Sequence, residues 1–280
     1  MSRQKIDWSW LYTALKLTCI AAIVVAAFGL PALPLPSATR NITALPLLIN
    51  KAEAAEPPFC SRAPYLDDPE GPWVHDFKLL TQRGNEALAN GQLAQAKMEY
   101  DRALAVAERC AKADPNSPDW QLDLSTSYDK IGGVLAAQDN LPEALKSYRD
   151  ALAIMERLVK IDPDELDWQR DLSVSYNKVG EVLVRQNKPQ EALKSYASAL
   201  AIMERLVKID PGTLGWQRDL AATYSKLAGA FMIGGEKAKA LDALRHGRSI
   251  VERLSSLWPQ EPVLKDDLAW FDELIAELSR

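Results

Sequence analysis

Residues 143–163 read EALKSYRDALAIMERLVKIDP, and residues 191–211 read EALKSYASALAIMERLVKIDP, a near copy 48 positions further along the chain. Working outward from this pair, the same spacing separates several Asp-Leu and Asp-Pro dipeptides and three tryptophans, Trp120, Trp168 and Trp216. A fixed period of this length is typical of a solenoid, in which each repeat buries its apolar face by stacking on its neighbours. The pair therefore predicts a linear stack of like units.

Four units of this period follow one another, at residues 70–117, 118–165, 166–213 and 214–261. The first half of the third unit carries a single apolar stripe at helical spacing, formed by Leu172, Tyr176, Val179 and Leu183. In its second half, the small residues Ala192 and Ala199 alternate with large apolar ones, which suits a closely packed antiparallel helix pair. Each unit is therefore predicted to be two helices.

The helix ends also leave signals in the sequence. Residues 186–188 interrupt the third unit, and Pro189 then fits the first turn of a second helix. Between units, residues 162–165 have two readings: a helix cap with Asp162 as acceptor, or a tight turn with the next helix starting near Trp168.

Glycine and alanine–tyrosine–alanine recur at fixed offsets, in the sets Gly132/Ala144/Tyr148/Ala151 and Gly180/Ala192/Tyr196/Ala199. This pattern resembles the tetratricopeptide repeat family over residues 73–261, with a period longer than is usual there. The resemblance implies an all-α fold, a right-handed solenoid of helix pairs. Residues 262–280 begin a fifth unit and stop after one helix, which predicts a C-terminal capping helix.

The N-terminal segment has the pattern of a membrane signal. Residues 17–30 contain no charge, and Trp8, Trp10 and Lys16 precede them as interface anchors. We expect residues 1–35 to be a transmembrane signal-anchor, with a cleaved secretory signal as the alternative, and residues 36–72 to be a Pro/Ala-rich tether. Since the basic residues precede the span, the repeats are expected outside the cytoplasm, in the periplasm of a diderm bacterium attached to its inner membrane, or free there after cleavage.

Charge and residue types narrow the functional classes. The formal net charge of −5 argues against non-specific nucleic-acid binding. Two histidines and three cysteines show no zinc-ligand spacing. No nucleophile–base set is readable, so neither enzymatic activity nor a cofactor is predicted.

By resemblance to the family, the inner stripe of each first helix lines a partner groove, here with Thr126, Asp129, Val174, Asn177, Glu181, Ala222 and Ser225. Asp129 and Glu181 would repel a peptide carboxylate, and the row of Lys130, Lys178 and Lys226 is expected to be a solvated face. The predicted function is a membrane-tethered scaffold that binds a protein or peptide. The alternatives are a periplasmic module for a glycan, lipid or small ligand, and a regulatory subunit of an enzyme complex.

Two further expectations concern the core. The three repeated tryptophans, with Tyr148 and Tyr196, are predicted to fill it rather than to bind a ligand. Cys60 and Cys110 would be the only thiols of an exported domain, where disulfides form. They either pair, or Cys110 is a small buried apolar residue.

Overall fold

The computed structural model describes residues 72–280. The predicted anchor or signal (1–35) and nearly all of the tether (36–72) lie outside the described residues and remain predictions. The described chain is entirely helical, with helices α1 Pro72–Ala89, α2 Leu93–Ala113, α3 Pro118–Ala137, α4 Leu141–Ile161, α5 Leu166–Arg185, α6 Pro189–Ile209, α7 Leu214–Ile233, α8 Lys237–Leu257 and α9 Pro262–Ser279. None of these helices is both long enough and apolar enough to cross a bilayer.

The helices stack in sequence order, as a solenoid requires. Each helix packs against the next one along the chain, and α5 also contacts α7, the first helix of the following unit. One continuous apolar cluster runs from Ala87 in the first unit to Phe271 in α9. The predicted helix pairs and the capping helix are therefore present, because every apolar stripe finds its partner in a neighbouring helix.

Each unit turns from its first to its second helix at a residue with left-handed backbone conformation, and these residues are Gly91, Asp139, Asn187 and Gly235. After each comes an amide that donates five residues back, as Lys188 N–H does to the Leu183 carbonyl at 2.9 Å. This is the Schellman geometry that closes a helix C-terminus. The helix break predicted at residues 186–188 is confirmed.

The connection between units is a tight turn followed by a new helix. Asp162 Oδ1 accepts from the Asp164 amide at 3.1 Å, and the Glu165 side chain caps α5 by accepting from the Asp167 amide. The second of the two readings for residues 162–165 is thus confirmed, although the helix begins at Leu166, two residues before Trp168.

A buried glutamine holds three of these turns. The side-chain amides of Gln121, Gln169 and Gln217 donate to the carbonyl oxygens of Pro115, Pro163 and Pro211, respectively. All three glutamines are buried. The sequence analysis missed them, although each follows a repeated tryptophan.

Close approach within each pair depends on the repeated glycine. A Cβ at Gly132 would lie 2.8 Å from the Tyr148 ring, and one at Gly180 would overlap the Tyr196 ring. Tyr148 and Tyr196 are buried, which confirms them as core residues.

The prediction that the three repeated tryptophans fill the core is fully confirmed only for Trp120, which is 1% exposed. Trp168 and Trp216 are half-buried and pack on the edges of their clusters. Trp120 packs against Cys110 and Ala111, at positions that larger residues occupy in the later units.

Candidate functional site

The first helices of the units present one face along which repeat-equivalent positions line up. Thr126, Val174, Ala222 and Trp270 are equivalent positions, each 48 residues from the next. Between consecutive first helices the same set of positions can form a pocket. The structure shows this pocket open in two places and closed in the place between them.

The small pocket lies between α3 and α5 and has a volume of about 160 Å³. The predicted groove residues Thr126, Asp129 and Val174 line it. Leu122 and Met155 add apolar surface to its walls.

The large pocket lies at the C-terminal end of the stack and has a volume of about 440 Å³. The predicted groove residues Ala222 and Ser225 line it, together with Phe271 and Trp270 of α9. Trp270 is 47% exposed, which is unusual for so large an apolar side chain. The sequence analysis missed Trp270, although its spacing from Ala222 placed it on the groove stripe.

The equivalent space between α5 and α7 is closed by polar contacts. Asn177 Nδ2 donates to Thr223 Oγ1 at 3.0 Å, and Thr223 Oγ1 donates to the Asp219 carbonyl at 2.9 Å. Asn177 is only 8% exposed, so its prediction as a groove-lining residue is corrected: it lies inside the helix interface. Glu181 pairs with Lys226 across the same interface.

The lysine row is not simply a solvated face, because each ammonium reaches back to the preceding first helix. Lys130 donates to Asn85 at 3.0 Å, Lys178 to Asp129 at 2.5 Å, and Lys226 to Glu181. Partial burial lowers the pKa of Lys226, and the neighbouring charge of Lys178 lowers it further. Since Asp129 and Glu181 are both paired, neither is a free charge that would repel a carboxylate, as the sequence had suggested.

A second set of cross-repeat ion pairs involves the recurring aspartates. Arg170 Nε lies 2.7 Å from Asp219 Oδ2, and Arg218 Nε lies 2.8 Å from Asp267 Oδ2. The hydrogen bond to Asp219 raises the pKa of Arg170. Two of the aspartates that recur in the Asp-Leu dipeptides, Asp219 and Asp267, therefore form ion pairs between units. Their arginine partners were not recognised from the sequence.

An apolar depression of about 320 Å³ lies between α6, α7 and α8, away from the groove stripe. Tyr224 and His246 stack on one side of it, with ring centroids 5.3 Å apart. The sequence analysis did not predict this feature.

The part of the chain that the structure describes shows no catalytic or metal-binding arrangement of side chains. Within residues 72–280, no three His, Cys, Asp or Glu side chains come together as a metal site. Cys110 is fully buried beside Trp120. Cys60 lies outside the described residues, so its pairing with Cys110 remains a prediction, which intact-mass measurement with and without reductant would test.

Comparison with known proteins agrees with this architecture. Residues 122–205 match the tetratricopeptide repeat family model. BtubC (BKLC) from P. vanneervenii is similar in structure, with a TM-score of 0.50 and 15% identity over 85% of this chain and 90% of that one. A putative kinesin light chain from P. anserina gives a TM-score of 0.49 and 14% identity over 74% of this chain and 99% of that one. The yeast histone chaperone Hif1 gives a TM-score of 0.46 and 12% identity over 74% of this chain and 96% of that one.

No curated protein matches the sequence. The family match covers less than half of the chain, and together with the helix-pair stack it indicates a tetratricopeptide-like fold. At 15% identity, the similarity to BtubC indicates the fold alone.

Proposed function

We propose that this protein is a non-catalytic scaffold that binds a segment of another protein along the face formed by α3, α5, α7 and α9. The observation that carries the proposal is the repetition of one pocket along this face, open at the small and large pockets and closed between them. Two spaced pockets on a rigid helical surface suit a peptide or protein segment with two anchoring side chains. The neighbouring charges are largely paired within the stack, so most of the face is preorganised.

The large pocket is the principal anchor site in this proposal. It combines an exposed tryptophan with apolar side chains from α7, α8 and α9, and aromatic side chains dominate binding energy at protein interfaces. Its four charged side chains form two ion pairs, Arg170–Asp219 and Arg218–Asp267, so the pocket carries no net charge. It therefore suits an apolar or aromatic side chain of the partner.

Pocket-filling substitution tests the groove directly. Ala222→Trp places a bulky side chain in the large pocket, whereas Ala201→Trp makes the same change at an exposed position of α6 that lines none of the pockets described above. Cross-linked capture from membranes followed by mass spectrometry should recover the same partner with the parent protein and Ala201→Trp, and lose it with Ala222→Trp. Equal recovery with both variants would contradict a role for this face.

The scaffold is further proposed to be tethered to a membrane and displayed outside the cytoplasm. This rests on the uncharged segment 17–30 and the basic residues before it. The full-length protein should remain with membranes after carbonate washing, and its N-terminus should lie upstream of Trp8. A mature chain beginning at Ala55 would instead identify a cleaved signal.

A small ligand is the second candidate, favoured by the size of the large pocket. Its volume of about 440 Å³ falls within the range of about 300–1,000 Å³ that holds small molecules. Titration with cell-wall fragments or phospholipids, followed by tryptophan fluorescence in the parent and in Trp270→Phe, distinguishes this function. Saturable binding that Ala222→Trp abolishes, without any protein partner, would favour the ligand module.

A further inference from the structure

Two cross-repeat ion pairs share one spacing, which residues 122 and 171 do not keep. An arginine near the start of one first helix pairs with an aspartate 49 residues later, in the next first helix, as in Arg170–Asp219 and Arg218–Asp267. The corresponding partner for Asp171 would be residue 122, which is leucine. Arg170, the immediate neighbour of Asp171, directs its guanidinium to Asp219 instead.

The Asp171 carboxylate consequently has no hydrogen bond or ion pair with any residue that the structure describes. Partial burial raises the pKa of Asp171, which the positive charges of Arg170 and Lys178 only partly oppose. The residue is nevertheless exposed, so a cation from outside the chain can reach its carboxylate and would favour the charged form. The carboxylate is therefore open to an ion pair that the chain itself does not form.

This carboxylate lines the small pocket, whose shape suits one side chain. The volume of about 160 Å³ lies well below that of pockets for whole small molecules. Leu122, Met155 and Val174 provide apolar walls of the kind along which the methylene stem of a lysine or arginine packs.

The charge balance of the small pocket also favours a cation. Its charged residues are Asp129, Asp171 and Lys178, two negative charges and one positive. Lys178 forms its ion pair with Asp129, so the pocket keeps a net negative charge, and Asp171 has no direct ion pair. The charged residues of the large pocket, by contrast, carry no net charge.

We infer that the partner segment carries a lysine or arginine side chain that enters the small pocket and pairs with Asp171, where Leu122 replaces the arginine found in later units. The inference rests on the proposed function and specifies its partner: a segment with a basic residue for the small pocket and an apolar or aromatic residue for the large one.

Random peptides displayed on phage and selected on the full-length protein provide the probe. Peptides whose binding Ala222→Trp blocks should share one basic position. Asp171→Asn should weaken the best peptide about tenfold, or about 1.4 kcal/mol. Asp164→Asn, the same change at an exposed turn residue outside the pockets, should leave its affinity unchanged.

A double-mutant cycle makes the contact specific. Replacing the basic residue of the peptide by methionine should weaken binding to the parent about tenfold but have little effect on binding to Asp171→Asn. Leu122→Arg should restore the internal ion pair. This substitution should therefore weaken binding of the basic peptide while keeping or raising the melting temperature of the protein. The two measurements together separate lost binding from lost folding.

The outcomes distinguish the two proposals. Groove-binding peptides without a common basic position, or additive effects in the cycle, would overturn the role of Asp171 and leave the groove intact. Peptides that Ala222→Trp does not affect, or no selected peptides at all, would overturn the proposed function itself.

Discussion

Gly180 shows how a single missing side chain sets the distance between paired helices. Its backbone lies against the Tyr196 ring, which is 2% exposed and enclosed by the core. In the fourth unit the equivalent residues are Ala228 and Leu244, so a larger first residue accompanies a smaller second one. This exchange indicates that the two positions share one volume.

Gly180→Ala should therefore destabilise the protein, although alanine is the better helix former by about 1 kcal/mol. Overpacking against Tyr196 costs about 1–3 kcal/mol, and we expect a net loss in chemical denaturation. Gly229→Ala is the matched control, because a Cβ there meets nothing within 4 Å, and it should stabilise by up to about 1 kcal/mol. Similar gains in stability for both variants would contradict the close approach of Gly180 to Tyr196.

We expect the ionisation of Tyr148 to lower the stability of the protein at alkaline pH. Burial, reinforced by the nearby Asp129 charge, raises the pKa of Tyr148 to about 12, from an ordinary value of 10.0. The stability due to its neutral form is complete below pH 10 and is lost as the pH rises to about 12, since the unfolded chain ionises first.

Tyr148→Phe should change stability little at pH 7 and make the decline of the melting temperature between pH 10 and 12 shallower. Thermal denaturation across this range, with ultraviolet titration of the phenols, measures the effect. An identical decline in the parent and the variant would show that Tyr148 does not contribute.

At the scale of helices, equivalent tryptophans differ in burial: Trp120 is buried, whereas Trp168 and Trp216 are half-buried. Trp120 →Ala should cost on the order of 3–5 kcal/mol, as large truncations in cores do. Trp168→Ala should cost less, because the side chain is only half-buried. Denaturation followed by circular dichroism gives both values; an equal or larger loss for Trp168→Ala would contradict this ranking.

For the whole molecule, α9 ends the stack by covering the apolar surface of the fourth unit. Phe271, 3% exposed, lies over Gly247 of α8, where a Cβ would be 2.6 Å from its ring. Leu274, Ile275 and Leu278 pack against the same core. The helix therefore covers the apolar face of the fourth unit, as terminal caps do in repeat proteins.

Phe271→Ala should destabilise the protein by about 3–5 kcal/mol and promote aggregation. Its neighbour Trp270 faces the large pocket, so Trp270→Ala should leave stability nearly unchanged while weakening partner binding. Calorimetry measures the loss of stability in Phe271→Ala, and light scattering measures its aggregation. A large loss of stability in Trp270→Ala would show that this side chain belongs to the cap rather than to the binding face.

The sequence by itself determined the repeat, the two helices of each unit, their breaks, the fixed positions of glycine and tyrosine, and the cap. These features depend on local periodicity and on fixed offsets within one unit, which a single chain displays directly. The candidate site was predicted only in outline: Thr126, Asp129, Val174, Ala222 and Ser225 do line pockets.

Only the tertiary structure decided which copies of that pocket stay open. Asn177 occupies a groove position by sequence, yet the contact between α5 and α7 buries it against Thr223. The arginine–aspartate and lysine–carboxylate pairs likewise form across unit boundaries. Such contacts depend on the distance between helices of neighbouring units, which the packing of the whole stack sets and no offset within one unit encodes.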